Sequence, residues 1–106
     1  MRLEKNMSYK VIVSSRAKSD IFQTVDYLYH KWSKQDAFNF IKKFEEIKRQ
    51  LSISPLLFPK FNIEKGIHIA VLTKHNTIYY NIDETTREVH IITVFNVFQN
   101  PTKLEL

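Results

Sequence analysis

The chain has 106 residues, 43% of them hydrophobic and 13% aromatic, so it is long enough for one packed core and too short for two. It contains no cysteine, which excludes disulfides, thiolate zinc sites and a cysteine nucleophile. Sixteen Lys and Arg residues against eleven Asp and Glu give a formal charge of +5, which favours polyanions or acidic proteins as partners.

The sequence predicts a cytoplasmic protein that does not enter the membrane. No apolar run approaches the ~20 residues that a membrane span needs. The first residues carry charges but lack the apolar segment of a signal peptide. We expect residues 1–8 to form an N-terminal extension and residues 9–106 to form a single domain.

A strand followed by a helix is predicted at the start of the domain. Residues 9–14, Tyr-Lys-Val-Ile-Val-Ser, are rich in β-branched side chains and typical of a strand. Ser15 then offers an N-cap for a helix. Apolar residues recur in this helix at steps of three and four, which predicts one buried stripe. The stripe consists of Ala17, Ile21, Val25, Leu28 and Trp32.

A second helix is predicted directly after the first. Ser33 and Asp36 have the spacing of a capping box, which places the start of the helix there. Because the joint is so short, the two helices must be antiparallel neighbours in a helical hairpin. The second buried stripe is expected at Ala37, Phe40, Ile41, Phe44, Ile47 and Leu51.

The rest of the chain is predicted to form three strands. Pro55 and Pro59 mark a loop over residues 52–60, and after it the hydrophobic period changes from 3.6 to 2. The strands are expected at residues 67–72, 77–82 and 89–95, with turns at residues 73–76 and 83–87. The last strand is apolar on both faces, as expected of a central strand.

The element order β-α-α-β-β-β predicts an α+β fold. Each helical stripe needs an apolar surface, so the helical hairpin is expected to pack on one face of a mostly antiparallel sheet. The outer side of the sheet and its edges are then expected to remain free for a larger partner.

The common catalytic motifs are missing from the sequence. There is no phosphate-binding loop, dinucleotide fingerprint, zinc-protease motif or serine-hydrolase motif. The four histidines lack the close spacing of a metal site, so neither a metal nor another cofactor is expected.

Basic and aromatic residues in the second half of the chain are the remaining candidates. They have the chemistry to contact phosphates or to act as acids and bases on a ribose hydroxyl. The catalytic candidates are His68, His75 and Tyr80, and the candidate phosphate contacts are Lys60, Lys65 and Lys74. In the alternative interpretation, Tyr80 and His68 are core residues and the lysines only keep the chain soluble.

Two aromatic residues lie away from the predicted helical stripes. At 100° per residue, Tyr27 and Phe38 fall outside the buried sides of the two helices. Exposed aromatic rings near the joint indicate a partner surface. A single exposed ring is also common on proteins that bind nothing there.

Several short segments between Tyr9 and Leu104 occur in a specific order and spacing. They are the strand at 9–14 with Ala17 and Asp20-Ile21, the helix end at 27–32, the Ala37/Phe40/Phe44 helix with Leu51, the loop Ser54-Pro55…Phe58-Pro59, Lys74-His75…Ile78-Tyr-Tyr80, and Gln99-Asn-Pro101…Lys103-Leu104. In these features the sequence resembles the RelE/ParE superfamily of bacterial toxins.

The resemblance implies the toxin of a type II toxin–antitoxin system. RelE-like members cleave mRNA on the ribosome, with basic residues and often a tyrosine or histidine on the sheet. ParE-like members inhibit DNA gyrase. Where the family usually has two arginines this chain has His68 and Phe98, which removes two permanent cations that hold a scissile phosphate. Asn96 and Gln99 are added as candidate target contacts.

We therefore expect a ParE-like toxin that binds gyrase, in part because the long helical hairpin resembles the ParE side. The alternatives are a ribosome-dependent mRNA endonuclease and a degenerate member that binds antitoxin without toxicity. An acidic, partly disordered antitoxin is expected to wrap the hairpin and sheet, with Tyr27 and Phe38 as contacts. The assembly is expected to be a homodimer or a toxin–antitoxin heterotetramer.

Overall fold

The computed structural model describes residues 8–98 together with Leu104 and Leu106. In chain order its elements are β1 (Lys10–Val13), α1 (Ser15–Lys31), α2 (Lys34–Ile53), a 3₁₀ turn (Pro55–Leu57), β2 (Lys60–Asn62), β3 (Ile67–Thr73), β4 (Asn76–Asp83) and β5 (Glu88–Asn96). The predicted α+β class, helical hairpin and strands are confirmed, and β2 is an additional short strand. The predicted N-terminal extension lies outside the described residues, apart from Ser8.

The five strands form one sheet in the order β1-β5-β4-β3-β2. Three of the four strand pairs are antiparallel, and β1 pairs with β5 in parallel, so the sheet is mostly antiparallel as predicted. β5 lies between β1 and β4, which confirms that the strand with two apolar faces is central. Within the described ranges, no helix combines the length and apolar character needed to cross a membrane.

Both helices bury one stripe against the same face of the sheet. In α1, Ala17 is fully buried, and Ile21, Val25 and Leu28 pack at the edge of the core. The buried residues of α2 are Ala37, Phe40, Phe44, Ile47 and Leu51. The sheet contributes Ala70, Leu72, Ile78, Tyr80, Val89, Ile91 and Val94 to this core. Removal of these side chains from water is the main term that holds the hairpin on the sheet.

Three details predicted for the ends and margins of the helices are wrong. The N-cap of α1 is Ser14 rather than Ser15, since Ser14 Oγ accepts a hydrogen bond from Ala17 N at 3.0 Å. Trp32 follows the last residue of α1 and is 70% exposed instead of ending the buried stripe. Ile41 is 41% exposed, because it lies at the margin of the α2 stripe.

The start of α2 agrees with the predicted cap. Ser33 Oγ accepts a hydrogen bond from Asp36 N at 3.0 Å, and the Ser33 hydroxyl donates to the Asp36 carboxylate at 2.8 Å. This cap satisfies a backbone donor at the start of α2 and places a carboxylate in its first turn, where the helix dipole favours it.

β5 contains an irregular point opposite the centre of β4. The register shifts there, so that Tyr79 faces Thr93 whereas Tyr80 faces Ile91. Ile92 is therefore an extra residue in β5, which is the definition of a β-bulge. A bulge leaves backbone groups without a partner in the sheet, and they need partners elsewhere when they are buried.

Two side chains at the start of α1 bind the groups around this bulge. The Ser14 hydroxyl donates to the Ile92 carbonyl at 2.7 Å. The Asp20 carboxylate accepts hydrogen bonds from the Thr93 hydroxyl and, at 3.0 Å, from Val94 N. Thr93 is only 1% exposed, so these bonds replace water at a buried point. They fix both the position and the rotation of α1 over β5.

The outer face of the sheet is less open than the sequence predicted. Leu104 and Leu106 pack there against a second apolar cluster. The cluster consists of Ile67, Tyr79 and Phe95, with Ile69 and Ile92 at its edge. The chain itself therefore covers part of the face that was expected to be free.

Replacing Asp20 with Ala is expected to lower the free energy of unfolding by about 2–4 kcal/mol, because two buried donors lose their acceptor. Urea unfolding followed by circular dichroism measures this loss. Asp26→Ala is the matched control: its carboxylate is exposed, and its 3.3 Å ion pair with His30 contributes less than about 1 kcal/mol. Equal losses in the two variants would show that the contacts to the bulge add nothing.

Candidate functional site

The candidate residues divide between the two ends of β3. Lys60 on β2 and Lys65 in the following turn lie near its first residue. Lys74 and His75 form the turn after its last residue, where the sequence predicted a hairpin turn. Since β3 has seven residues, the two groups lie roughly 20 Å apart. A single compact site cannot contain both groups.

Tyr80 lies in the core between the helices and the sheet. Its side chain is fully buried, and its hydroxyl donates a hydrogen bond to the Pro55 carbonyl at 2.5 Å. Burial raises the pKa of the Tyr80 phenol well above its ordinary value. The structure therefore places Tyr80 where it ties β4 to the loop after α2, out of reach of a substrate.

His68 is also buried and belongs to the same contact. Its side chain is 4% exposed, and its ring stacks on the Tyr80 ring with centroids 5.2 Å apart. His68 Nδ1 lies 2.9 Å from the Phe58 carbonyl oxygen, and because a carbonyl only accepts, this nitrogen carries the proton. His68 and Tyr80 together hold the loop after α2 against the sheet.

Lys60 and Lys65 lie on the surface near this buried pair. Both side chains are exposed, and neither ammonium forms an ion pair with a described residue. The backbone of Lys65 is held by a 3.0 Å hydrogen bond from its N–H to Asn62 Oδ1. These two lysines are available to an anion, and the exposed Glu64 carboxylate lies beside Lys65 in the same turn.

A groove of about 430 Å³, here called the joint groove, lies between the first half of α2 and the turn between β3 and β4. Lys43 and Lys74 on its walls are exposed, and His75 is half-buried. The lining residues are Leu28, Asp36, Asn39, Phe40, Lys43, Leu72, Thr73, Lys74, His75 and Asn76. The groove thus combines apolar side chains with two accessible cations.

Asn76 adds an unusual polar group to the joint groove. It is 6% exposed, and its Nδ2 donates to Thr73 Oγ1 at 2.9 Å. Its Oδ1 is buried and accepts no hydrogen bond from any described residue. A buried carbonyl oxygen without a donor is costly to the fold.

A second groove, of about 290 Å³, runs beside α1 and is here called the Tyr27 groove. Tyr27 is 55% exposed, and Asn96 accepts a hydrogen bond from Phe98 N at 2.8 Å. The Phe98 ring lies 4.8 Å from the His75 ring, which joins this groove to the joint groove. The lining residues are Asp20, Gln23, Thr24, Tyr27, Asn96 and Phe98.

The structure thus brings several predicted site residues to one end of the molecule. Tyr27, Asn96, Lys74 and His75 line the two connected grooves. Phe38 is exposed as predicted but lines neither groove, and Lys42 Nζ lies 5.7 Å from its ring centroid. Gln99 lies outside the described residues.

Sequence reasoning missed two residues that shape this end of the molecule. Trp32 was assigned to the buried stripe, although the cap at Ser33 already indicated that the helix ends before it. Asn76 was interpreted only as part of a turn, and nothing in the sequence signals that its side chain is buried. The local end of α1 places Trp32, whereas Asn76 is bonded to Thr73 and lies against the groove beside α2.

Comparison with known proteins identifies the fold through structure rather than sequence. No protein-family model and no curated protein sequence matches the chain. The chromosomal ParDE toxin–antitoxin system from Pseudomonas aeruginosa matches with a TM-score of 0.70 and 12% identity, over 86% of this chain and 98% of that chain.

Two further solved structures share the fold. The RelBE2 toxin–antitoxin complex from Mycobacterium tuberculosis has a TM-score of 0.56 and 22% identity, over 84% of this chain and 98% of that chain. The YoeB/ParE toxin from Agrobacterium tumefaciens has a TM-score of 0.56 and 11% identity, over 82% and 96%. The chain therefore has the RelE/ParE toxin fold, as the sequence resemblance implied.

Replacing Tyr80 with Phe is expected to cost about 1 kcal/mol of stability at neutral pH, through the lost hydrogen bond to Pro55. It is also expected to change the response to alkali. The unfolded chain releases the Tyr80 proton near the ordinary pKa of 10.0, whereas the fold retains it. The free energy of unfolding of the wild type therefore falls as the pH rises above about 10.

The loss of stability above pH ~10 should be smaller in Tyr80→Phe than in the wild type. Tyr79 accounts for part of the loss that remains, because burial raises the pKa of its phenol as well. Urea unfolding at neutral and alkaline pH measures both effects. Tyr29→Phe, which removes a phenol that is 52% exposed, is the control. An unchanged pH dependence in Tyr80→Phe would contradict the buried position of the phenol.

Proposed function

We propose that this chain is the toxin of a type II toxin–antitoxin pair and that it inhibits DNA gyrase by binding. The observation that carries the proposal is the burial of His68 and Tyr80, the two acid–base candidates on the sheet. His68 Nδ1 and the Tyr80 hydroxyl are bound to backbone carbonyls of the loop after α2. A sheet whose reactive groups are committed to the core is suited to binding rather than to bond cleavage.

The burial of His68 and Tyr80 matters because RNA cleavage needs accessible reactive groups. A nuclease needs an accessible acid or base and cations beside the scissile phosphate. Lys60 and Lys65 supply cations at one end of the sheet, but the imidazole and phenol nearby are enclosed. The absence of arginine at His68 and Phe98 points the same way, because lysine and histidine do not replace its bidentate contacts.

One feature favours an mRNA endonuclease as the second candidate. His75 is accessible in part and lines the joint groove together with Lys43 and Lys74. An imidazole between two exposed ammonium groups has the composition of a phosphate-cleaving site. In this alternative His75 is the acid or base and Lys74 holds the phosphate.

A cognate antitoxin is the proposed protein partner. Two of the structural neighbours are toxin–antitoxin assemblies, ParDE and RelBE2, in which a toxin is found with its antitoxin. The formal charge of +5 favours an acidic partner. We assign Tyr27 and Phe38 as antitoxin contacts, because both rings are more than half exposed and aromatic side chains dominate protein interfaces. We place the complex in the cytoplasm.

In a gyrase supercoiling assay, the purified chain is expected to inhibit supercoiling or to cause cleaved DNA to accumulate. His75→Ala is expected to retain this effect, because binding does not need the imidazole. Tyr80→Phe serves as the control for a buried substitution. Two results together would favour the endonuclease over gyrase inhibition. Supercoiling would be unaffected, and translated mRNA would show codon-phased cuts that His75→Ala abolishes.

Binding to the antitoxin is expected to weaken by about tenfold in Tyr27→Ala and in Phe38→Ala, since an exposed aromatic contact at an interface typically contributes more than 1 kcal/mol. The antitoxin to test is the product of a short reading frame directly upstream of the gene, where one is found, and calorimetric titration measures the affinity. Ile63→Ala, which truncates a side chain 79% exposed in the turn between β2 and β3, is the matched control. Wild-type affinity in both aromatic variants would show that these rings are not contacts.

A further inference from the structure

The tip of the helical hairpin carries a surface that the toxin proposal does not use. We define this tip surface as Tyr29, Lys31, Trp32 and Lys34, which surround the joint between α1 and α2. Trp32 is 70% exposed and Tyr29 is 52% exposed, and the lysines that alternate with them are exposed as well. Aromatic rings and cations therefore alternate on one accessible segment.

The exposure of Trp32 is not a consequence of packing. Trp32 is the C-cap of α1, with φ −119° and ψ −92°, so the backbone leaves the helix at this residue. The Trp32 ring therefore lies outside the buried stripe, which includes Leu28 one turn earlier. The exposed indole is therefore a large flat apolar face that a ligand could cover.

Lys34 is placed where it opposes the stability of its own helix. It is the first residue of α2, at the end of the helix where the unpaired N–H groups carry positive partial charge. A cation at this end is unfavourable to the helix dipole, and the Asp36 carboxylate in the same turn offsets part of that cost. Lys34 therefore presents an exposed ammonium at the joint that forms no ion pair with a described carboxylate.

The charge of the chain is concentrated around this joint. Residues 29–43 contain four lysines and one aspartate, and so hold three of the five net positive charges. None of these lysines forms an ion pair with another residue in the described part of the chain. The adjacent joint groove adds Lys74 from the turn between β3 and β4. The joint and the groove beside it are therefore rich in exposed lysines, with Asp36 as the acidic residue of the groove lining.

We propose that the tip surface binds single-stranded nucleic acid, independently of the target of the proposed toxin. Unpaired bases stack on exposed rings, and the phosphates between them pair with lysines at similar intervals. Duplex bases are already stacked on one another and cannot use the rings. A polyglutamate peptide would neutralise the lysines but has no aromatic groups to stack on Trp32 and Tyr29.

Trp32 is the only tryptophan in the chain, so its fluorescence reports directly on the proposed site. Titration of the full chain with a dT or U oligonucleotide of roughly ten nucleotides is expected to quench this fluorescence to saturation. The logarithm of Kd should rise with the logarithm of salt concentration with a slope of about 1.4, since each of the two phosphates neutralised by Lys31 and Lys34 contributes about 0.7. A duplex of the same length should bind more weakly and should not quench.

Anisotropy of a labelled oligonucleotide compares the variants without depending on the indole. Trp32→Ala is expected to weaken binding by about tenfold, the loss typical of one stacked base. Phe22→Ala, which removes a ring that is also 70% exposed but lies outside the tip surface, should bind as the wild type does. Lys34→Gln should lower the salt slope by about 0.7, whereas the same charge change in Lys18→Gln on α1 should not. Thermal unfolding checks that each variant is folded.

Three results would overturn this proposal. Undiminished affinity in Trp32→Ala would show that no base stacks there. Equal effects of Lys34→Gln and Lys18→Gln would reduce the binding to net charge. Saturable quenching by a polyglutamate peptide, with none by either oligonucleotide, would instead assign the tip surface to an acidic protein.

Discussion

The attachment of α1 to the bulge in β5 is the interaction on which the arrangement of this molecule depends. A bulge disturbs the backbone pairing of a central, buried strand, and beside it Asp20 accepts hydrogen bonds from Val94 N and from the Thr93 hydroxyl. Apolar packing alone would allow α1 to slide or rotate, because the hydrophobic effect has no direction. The directional bonds to Ser14 and Asp20 select one position. They also place Asp20 and Tyr27 beside the end of β5, which creates the Tyr27 groove.

The position of the hairpin determines what the sheet is able to do. Because α2 and the loop after it cover the sheet, His68 and Tyr80 become links between the sheet and that loop. Their imidazole and phenol resemble catalytic groups in the sequence, yet in the fold they satisfy backbone carbonyls. The two reactive side chains therefore belong to the core. The accessible imidazole and ammonium of His75 and Lys74 line a groove at the opposite end of β3.

That opposite end is where the accessible aromatic and basic groups meet. The termination of α1 exposes Trp32, the capped start of α2 exposes Lys34, and the turn between β3 and β4 presents Lys74 and His75. None of these features is imposed by the fold itself, since structural neighbours at most 22% identical share the architecture. The proposals for gyrase, antitoxin and nucleic acid therefore concern the surface side chains rather than the fold.

Local patterns in the sequence determined the two helices, the four longer strands and the α+β class, because burial of a stripe or of a strand face repeats at short, fixed intervals. The exposed rings of Tyr27 and Phe38 follow from the same periodicity. Only the tertiary structure decided that β2 forms, that β5 bulges at Ile92 and that His75 meets Phe98. These features depend on contacts between distant segments, such as the bond between Thr93 and Asp20, 73 positions apart, which no local pattern records.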